Sequence, residues 1–364
     1  MKNALTLSRL FLIGLCLTLF SCEKENTDPT TLKDGYTYGI FMLNEGNMSN
    51  ETGIVSFIDN DGIKIDSVYQ KANEGEKLGN VTQDMWITKD KIYFIAQNGH
   101  SNEGGDRLIV CERSTMKKLA SIDEGFGTWP THLAVTDNNK AYVRDNGGIS
   151  IVDLNSMEVT GTLEGGSGAQ KQKMEYINDR VLIAAGAKLL VVNPSNDEVK
   201  NIETDGSIAG ICKGINHCLW VSTNNNVLYK VETNTFTIEE TFAMPEGFSI
   251  RGSWGSNGIC SNYNENSIIW KSGTKICKYD ATSGEGTILC DTSVSFENGK
   301  MIYGGLGIDP LTNEVYVGYI KGWGYDYLIN GIGIVNGETG EKIRVYKDCI
   351  RFSVGAYSTE NFDY

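Results

Sequence analysis

Seven times along the chain an apolar segment ends in an acidic or amide residue and runs straight into a turn. The copies are IVSFID ending at Asp59, LIVCE at Glu112, ISIVD at Asp153, LLVVN at Asn193, LYKVE at Glu232, ICKYD at Asp280 and IGIVN at Asn336, spaced by 53, 41, 40, 39, 48 and 56 residues. This self-similarity constrains the fold more than any other feature, because a unit of about 40 residues cannot bury its own apolar face and needs neighbours on both sides. A short carboxylate or amide at the end of the segment can accept a hydrogen bond from the turn backbone two residues on. That accounts for the recurrence of Asp, Asn and Glu and for the Ser, Thr, Asn and Gly that follow. Each copy reads as a strand leading into a hairpin.

Upstream of every copy lies a second strand ending near Gly or Asn, such as KIYFIAQNG, KAYVRDNG or EVYVGYIKG, and six of the seven have a third strand before that, as in THLAVTDNN. A fourth follows each copy, as in EVTGTLEG. Four short strands per unit, with no helical period after the first 35 residues, predict an all-β fold: a seven-bladed β-propeller of four-stranded antiparallel blades over residues 36–364. The first unit has no innermost strand of its own. The tail segment FSVGAYS (352–358) has no other partner, so the ring is expected to close with this C-terminal strand completing the N-terminal blade, which removes two open sheet edges.

The ends and the charge bound the setting. Lys2 and Arg9 precede an apolar run over 10–20, too short to span a bilayer, so residues 1–21 read as a secretory signal. Ser21 before Cys22 resembles the bacterial lipobox and implies a diacylated Cys22 as the mature N-terminus; an ordinary secretory signal with a chance cysteine is the alternative. Residues 22–35 are polar, without apolar periodicity, and read as a tether. Their acidic-plus-lysine cluster resembles the surface-export signal of Bacteroidetes lipoproteins, which implies an outer-membrane protein anchored by lipid and facing outward, with a periplasm-facing anchor the alternative. The net charge of −14 and the lack of any Lys/Arg run argue against nucleic acid. Beyond Cys22 there are seven cysteines, without CxxC spacing, so neither a zinc site nor a complete disulfide framework is implied. Cys277 and Cys290 flank a turn symmetrically and could form a cross-strand bridge, or remain buried thiols like the rest.

Loop length separates the two ends of the propeller. Connections after the first and third strands of each unit are tight turns, whereas those after the second and fourth include 44–53, 97–106, 124–130, 164–171, 244–256, 293–304 and 319–331. The long-loop face concentrates Phe126, Trp129, Phe248, Trp254, Phe296, Trp323, Tyr325 and Tyr327 with Asn44, Asn47, Asn50, Asn98, Asn102, Asn257 and His100. Aromatic faces with amide groups suit a bulky, hydrogen-bonding ligand or a protein surface. Some of these rings are expected to pack under their own loops. Trp323 and Tyr325 are expected to stay outside, since glycines beside them leave little local core.

Three histidines leave few candidates for acid–base or nucleophilic chemistry. His217 falls in a tight turn, and His132 and His100 fall near the mouth of the central channel. No calcium loop, serine elbow or phosphate-cradling glycine pattern is present in the sequence. A binding protein without metal or cofactor is the expectation, and a periplasmic enzyme of lactonase or lyase type, built on scattered carboxylates, is the alternative.

The blade pattern resembles YncE-like propellers. Within that group NEGN (44–47) and LGNVTQDM (78–85) are similar to the opening of Bacteroidetes surface lipoproteins, including those that capture vitamin B12. The resemblance implies an outer-membrane protein docked on a TonB-dependent transporter and handing it cobalamin. Adhesion to a protein or glycan would use the same residue types.

Overall fold

A computed structural model of the protein describes residues 35–49, 51–99, 105–252 and 258–360. Among them seven four-stranded antiparallel sheets follow one another as predicted. The strands nearest the central axis are Ser353–Ser358, Asn80–Ile87, His132–Val135, Glu175–Ile177, Ile208–Gly214, Cys260–Ser261 and Met301–Asp309. These belong to blades one to seven in that order. Three short helical turns are additions to the all-strand expectation: Val68–Ala72, Thr292–Ser295 and the 3-10 turn Gly324–Leu328.

The repeat residue behaves as its chemistry requires. Asp153, Asn193, Asp280 and Asn336 each accept through Oδ1 from the backbone N–H two residues on, at 2.8–3.1 Å, and Glu232 does so through Oε1 at 2.9 Å. Asp59 accepts from the Ile63 N–H at 2.7 Å, and Glu112 takes the Thr115 hydroxyl at 2.5 Å.

Alternation along the strands builds the core. In the strand Gly39–Asn44, Phe41 and Leu43 join a buried cluster with Met85, Ile92 and Phe94 of blade two, while Ile40 and Met42 join one with Tyr316, Ile332 and Ile334 of blade seven. Successive side chains on opposite faces of one sheet thus feed two interfaces, and seven such clusters fill the seven gaps between blades. The outermost strands carry the opposite pattern. Thr237–Ala243 is almost entirely exposed, and its Glu239 and Glu240 both pair with Lys230 at 3.0 Å. Charge on an edge strand discourages pairing with another chain.

The tail closes the ring. Ser353–Ser358 pairs antiparallel with Gly39–Asn44, Phe41 opposite Tyr357 and Leu43 opposite Gly355. Beyond the ladder, the Thr359 N–H donates to the Gly39 carbonyl at 3.0 Å, and the Tyr357 hydroxyl donates to Asp84 of blade two at 2.9 Å.

The cysteines from Cys111 to Cys349 are free. A bulge between Ile276 and Cys277 sets Cys277 opposite Ile288 and Cys290 opposite Ile276, so the symmetric turn does not align the two thiols.

Candidate functional site

The strand order sends the connections after second and fourth strands to one face, and the long ones lie there: 45–53, 99–107, 123–131, 163–174, 244–259, 292–300 and 321–329, with 66–79 as a further one. On this face Trp323 is 61% exposed, Tyr325 90% and Trp129 41%. Trp323 sits just before the 3-10 turn, where Gly324 takes a positive φ of 66° and a methyl group added to it would meet no atom within 4 Å. Behind it Tyr303, Phe352 and Tyr327 form an aromatic floor. Tyr303 meets Trp323 edge-on at 5.9 Å and Phe352 at 5.2 Å, and Tyr327 lies 5.0 Å from Phe352. Arg351 stands 6.0 Å over the Tyr327 ring and is ion-paired with Glu51.

Beneath the aromatic floor lies a buried acid. The Tyr303 hydroxyl donates to Glu45 Oε1 at 2.5 Å and Gln83 Nε2 donates to Oε2. Burial pushes the Glu45 carboxyl up to about 7, against the pull of those two donors and of the Lys171 charge. Burial also pulls the Lys171 ammonium down to about 8, aided by Arg144 and opposed by Glu45. Lys171 in turn stands 5.6 Å from the ring of Trp129, which holds a positive φ of 55°. The face therefore offers exposed indoles beside an acid that burial raises and a lysine that burial lowers.

The remaining predicted residues divide. Asn44 is buried and its Oδ1 accepts from the N–H groups of Phe352 (3.2 Å) and Gly46 (3.3 Å), clamping the tail. Asn47 shapes its own loop by accepting from Ser49 at 2.9 Å and Glu51 at 3.2 Å. Asn98 is buried, 3.5 Å from the Met48 sulfur. Phe126 is half-buried against the core between blades two and three. Phe248 packs edge-on to Trp270 at 6.0 Å. Phe296, placed by its loop among the ligand-facing rings, is only 2% exposed and stacks on Tyr319 at 5.4 Å. Tyr327 is half-buried. His217 lies in a tight turn, as expected, and is exposed there. Cys22, Asn50, His100, Asn102, Trp254 and Asn257, with the signal and most of the tether, lie outside the described residues.

Glu45, Gln83, Lys171 and Tyr303 escaped sequence reasoning, yet two of them stand inside the quoted motifs. NEGN supplies Glu45 and LGNVTQDM supplies Gln83, and the two segments dock on one another. The Thr82 N–H donates to the Glu45 carbonyl at 2.9 Å and Asn80 Nδ2 to the Asn47 carbonyl at 3.1 Å. The paired motifs are thus a latch between blades one and two.

A second feature lies on the axis. The inner strands enclose a cavity of about 740 Å³ whose rim is built by turn residues such as Lys89, Asp137, Asn178 and Tyr263, so it opens on the short-turn face. At its inner end stand Asp84, His132, Lys173 and Glu175. Asp84 is fully enclosed and accepts from Tyr357 (2.9 Å), the Met85 N–H (2.9 Å) and the Leu133 N–H (3.3 Å). Burial nevertheless pushes it up to about 7. Lys173 pairs with Glu175 at 3.4 Å; burial works to lower the lysine, but Glu175 and Asp84 outweigh it and hold it above its ordinary range. Burial pushes the Cys260 thiol up to about 12, which keeps it protonated and a poor nucleophile. No cluster of His, Cys, Asp and Glu suited to a metal ion occurs among the described residues.

A family model described as a domain of unknown function (DUF5074) matches residues 38–352. Among solved structures the chain is similar to a quinonprotein alcohol dehydrogenase-like protein from Bacteroides thetaiotaomicron VPI-5482, with a TM-score of 0.65 and 17% identity over 90% of this chain and 80% of that one. It is also similar to a protein from Lactobacillus plantarum, with a TM-score of 0.60 and 12% identity over 88% and 98%. At these identities the likeness concerns the fold. No curated protein matches the chain.

Proposed function

From the premise that the chain belongs to the DUF5074 family, a domain of unknown function, we propose that it is a binding protein rather than an enzyme, and that its long-loop face captures a bulky ligand rich in amides, with cobalamin as the first candidate. The observation that carries this reading is the exposure of Trp323 and Tyr325 beside the aromatic floor of Tyr303, Phe352 and Tyr327. Leaving large rings in water costs apolar hydration that a folded chain ordinarily avoids, and such exposed patches mark binding surfaces. A corrin ring is a flat apolar plane fringed with amides. Indole and phenol faces with the neutral donors around them match both parts.

The same reading places the chain on the outer surface of a bacterial outer membrane, anchored through a lipidated Cys22 and delivering its ligand to a TonB-dependent transporter. Mass spectrometry of the processed N-terminus is expected to find a diacylated Cys22. An unmodified chain starting elsewhere would remove the anchor. Adhesion to a protein is the second reading, favoured by Leu328, Ile329, Val294 and Met48, which are exposed on the long-loop side.

Calorimetric titration with cyanocobalamin tests the first reading. Binding is expected, weakened about tenfold by Trp323→Ala and again by Tyr325→Ala, because aromatic anchors dominate interface energetics. Tyr325 stands in solvent, so Tyr325→Ala should leave the melting temperature unmoved, while Trp323→Ala, which loses its ring contact with Tyr303, should lower it by only a few degrees. A sample that gives no heat and desalts colourless would turn the assignment to adhesion.

A further inference from the structure

We propose that the central channel is a second binding site, entered from the short-turn face, for a small organic carboxylate with an apolar body. The cavity is of about 740 Å³, within the range of about 300–1,000 Å³ typical of small-molecule sites, and the long-loop aromatics contribute nothing to its lining. The proposal is independent of the cobalamin reading.

The cation that the cavity presents at its inner end is Lys173, beside two carboxylates that are already engaged. Asp84 has both oxygens engaged by three donors and no exposed surface, and Glu175 is buried against Lys173. The Lys173 side chain by contrast is 28% exposed and lines the cavity. Its ammonium has three donors, of which Glu175 at 3.4 Å engages only one weakly. A carboxylate arriving there exchanges water for a cation held in a narrow, poorly solvated space, where the attraction exceeds its value in bulk water. An ammonium group would be repelled, and a neutral group would gain nothing from the charge.

The opposite wall selects the rest of the molecule. Blades seven and one present Gly305, Gly307 and Gly355 with Val354 and Ile308, so it is bare backbone and aliphatic carbon. At Gly355 the missing side chain makes the room: a methyl group added there would meet only a Tyr357 ring carbon, at 3.8 Å, whereas Gly307 lets the strand close up on Ala356, whose carbonyl oxygen would lie 2.2 Å from a methyl group. A short aliphatic chain or a single ring can lie against this wall while its carboxylate reaches Lys173.

Calorimetry on the whole propeller with benzoate and hexanoate, against benzamide and benzylamine, tests this directly. Benzoate and hexanoate are expected to bind at least about tenfold more tightly than benzamide, and benzylamine not at all. Lys173→Met should remove the preference for benzoate, and Gly355→Leu, which occupies the space against the apolar wall without touching the charge, should weaken binding of both acids at least about tenfold. Trp323→Ala should leave it intact, whatever the fate of cobalamin binding. Equal affinity for benzoate and benzamide, or unaltered binding in a folded Gly355→Leu protein, would overturn the proposal. So would the absence of heat from both acids at millimolar concentration, a result that needs no variant.

Discussion

Deleting residues 352–364 is expected to yield a protein that does not fold to the ring. The loss is not confined to one strand. Removing Ser353–Ser358 strips the inner edge of Gly39–Asn44, which stays paired with Ile54–Asp59 on its other side but then faces the channel as an open edge beside Phe41, Met42 and Leu43. The buried Asp84 loses its donor Tyr357 at the same time and keeps only the Met85 and Leu133 N–H groups, in a space the tail no longer seals. Backbone pairing, apolar burial and a buried acid short of a donor each cost several kcal/mol, and together they exceed the net stability of about 5–15 kcal/mol available to a folded domain. Soluble yield, circular dichroism and a urea titration give the answer. A truncated protein that melts with the parent and keeps its urea m-value would show that the tail is dispensable and the blade register wrong.

Stability should also fall as pH rises from about 5 to 7, opposite to the common pattern in acid denaturation. The folded-state carboxyls of Asp84 and Glu45 are raised to about 7, above their ordinary values near 4. Between those limits the folded protein holds protons that the unfolded chain has released, so stability present at low pH is lost as pH climbs through the folded value. Each group contributes at most about 1.4 kcal/mol per pH unit over that interval. Lys271 has the reverse effect. Burial pulls it down to about 8, while its ammonium donates to the carbonyls of Ile302 and Tyr303. From there to the unfolded value near 10.5 the unfolded chain holds more protons, and stability should recover. Melting temperatures across pH 5–10 should therefore pass through a minimum between about 7 and 8, and Asp84→Asn with Glu45→Gln should flatten the acid limb. A profile that rises from pH 5 to 7 in the parent would show that neither carboxyl carries its proton in the fold.

How far the sequence reaches is plain from comparing two aromatic residues of the same kind of loop. Trp323 and Phe296 both follow a strand end in a long connection, but Phe296 covers the space above Gly333, where a methyl group would lie 2.4 Å from its ring. That hole exists because a glycine in the next blade is paired in one particular register, and register is not written in either segment alone. Phe248 over Gly286 repeats the case. Trp323 has glycines beside it and no such hole facing it. The blade pattern was legible because the turn-capping residue and the alternation act within a few positions. The site was not, because Tyr303 and Glu45 stand 258 positions apart and meet only when the ring closes. Asp84, Lys173 and Glu175 likewise read as ordinary polar positions until the inner strands converge.

Ring closure by the tail also settles where the first and last strands of the ring begin and end. The strand Gly39–Asn44 starts at the short-turn face and Ser353–Ser358 finishes there, with Ile40 opposite Ser358. The two strand ends lie side by side, and Thr359 and Glu360 form part of the channel rim. An attachment made directly at either of these strand ends, such as a short fusion or a linkage to a sensor chip, would turn the channel mouth toward the support and present the long-loop face outward. Capture experiments would then sample one face and shield the other, which makes the choice of attachment point part of the measurement.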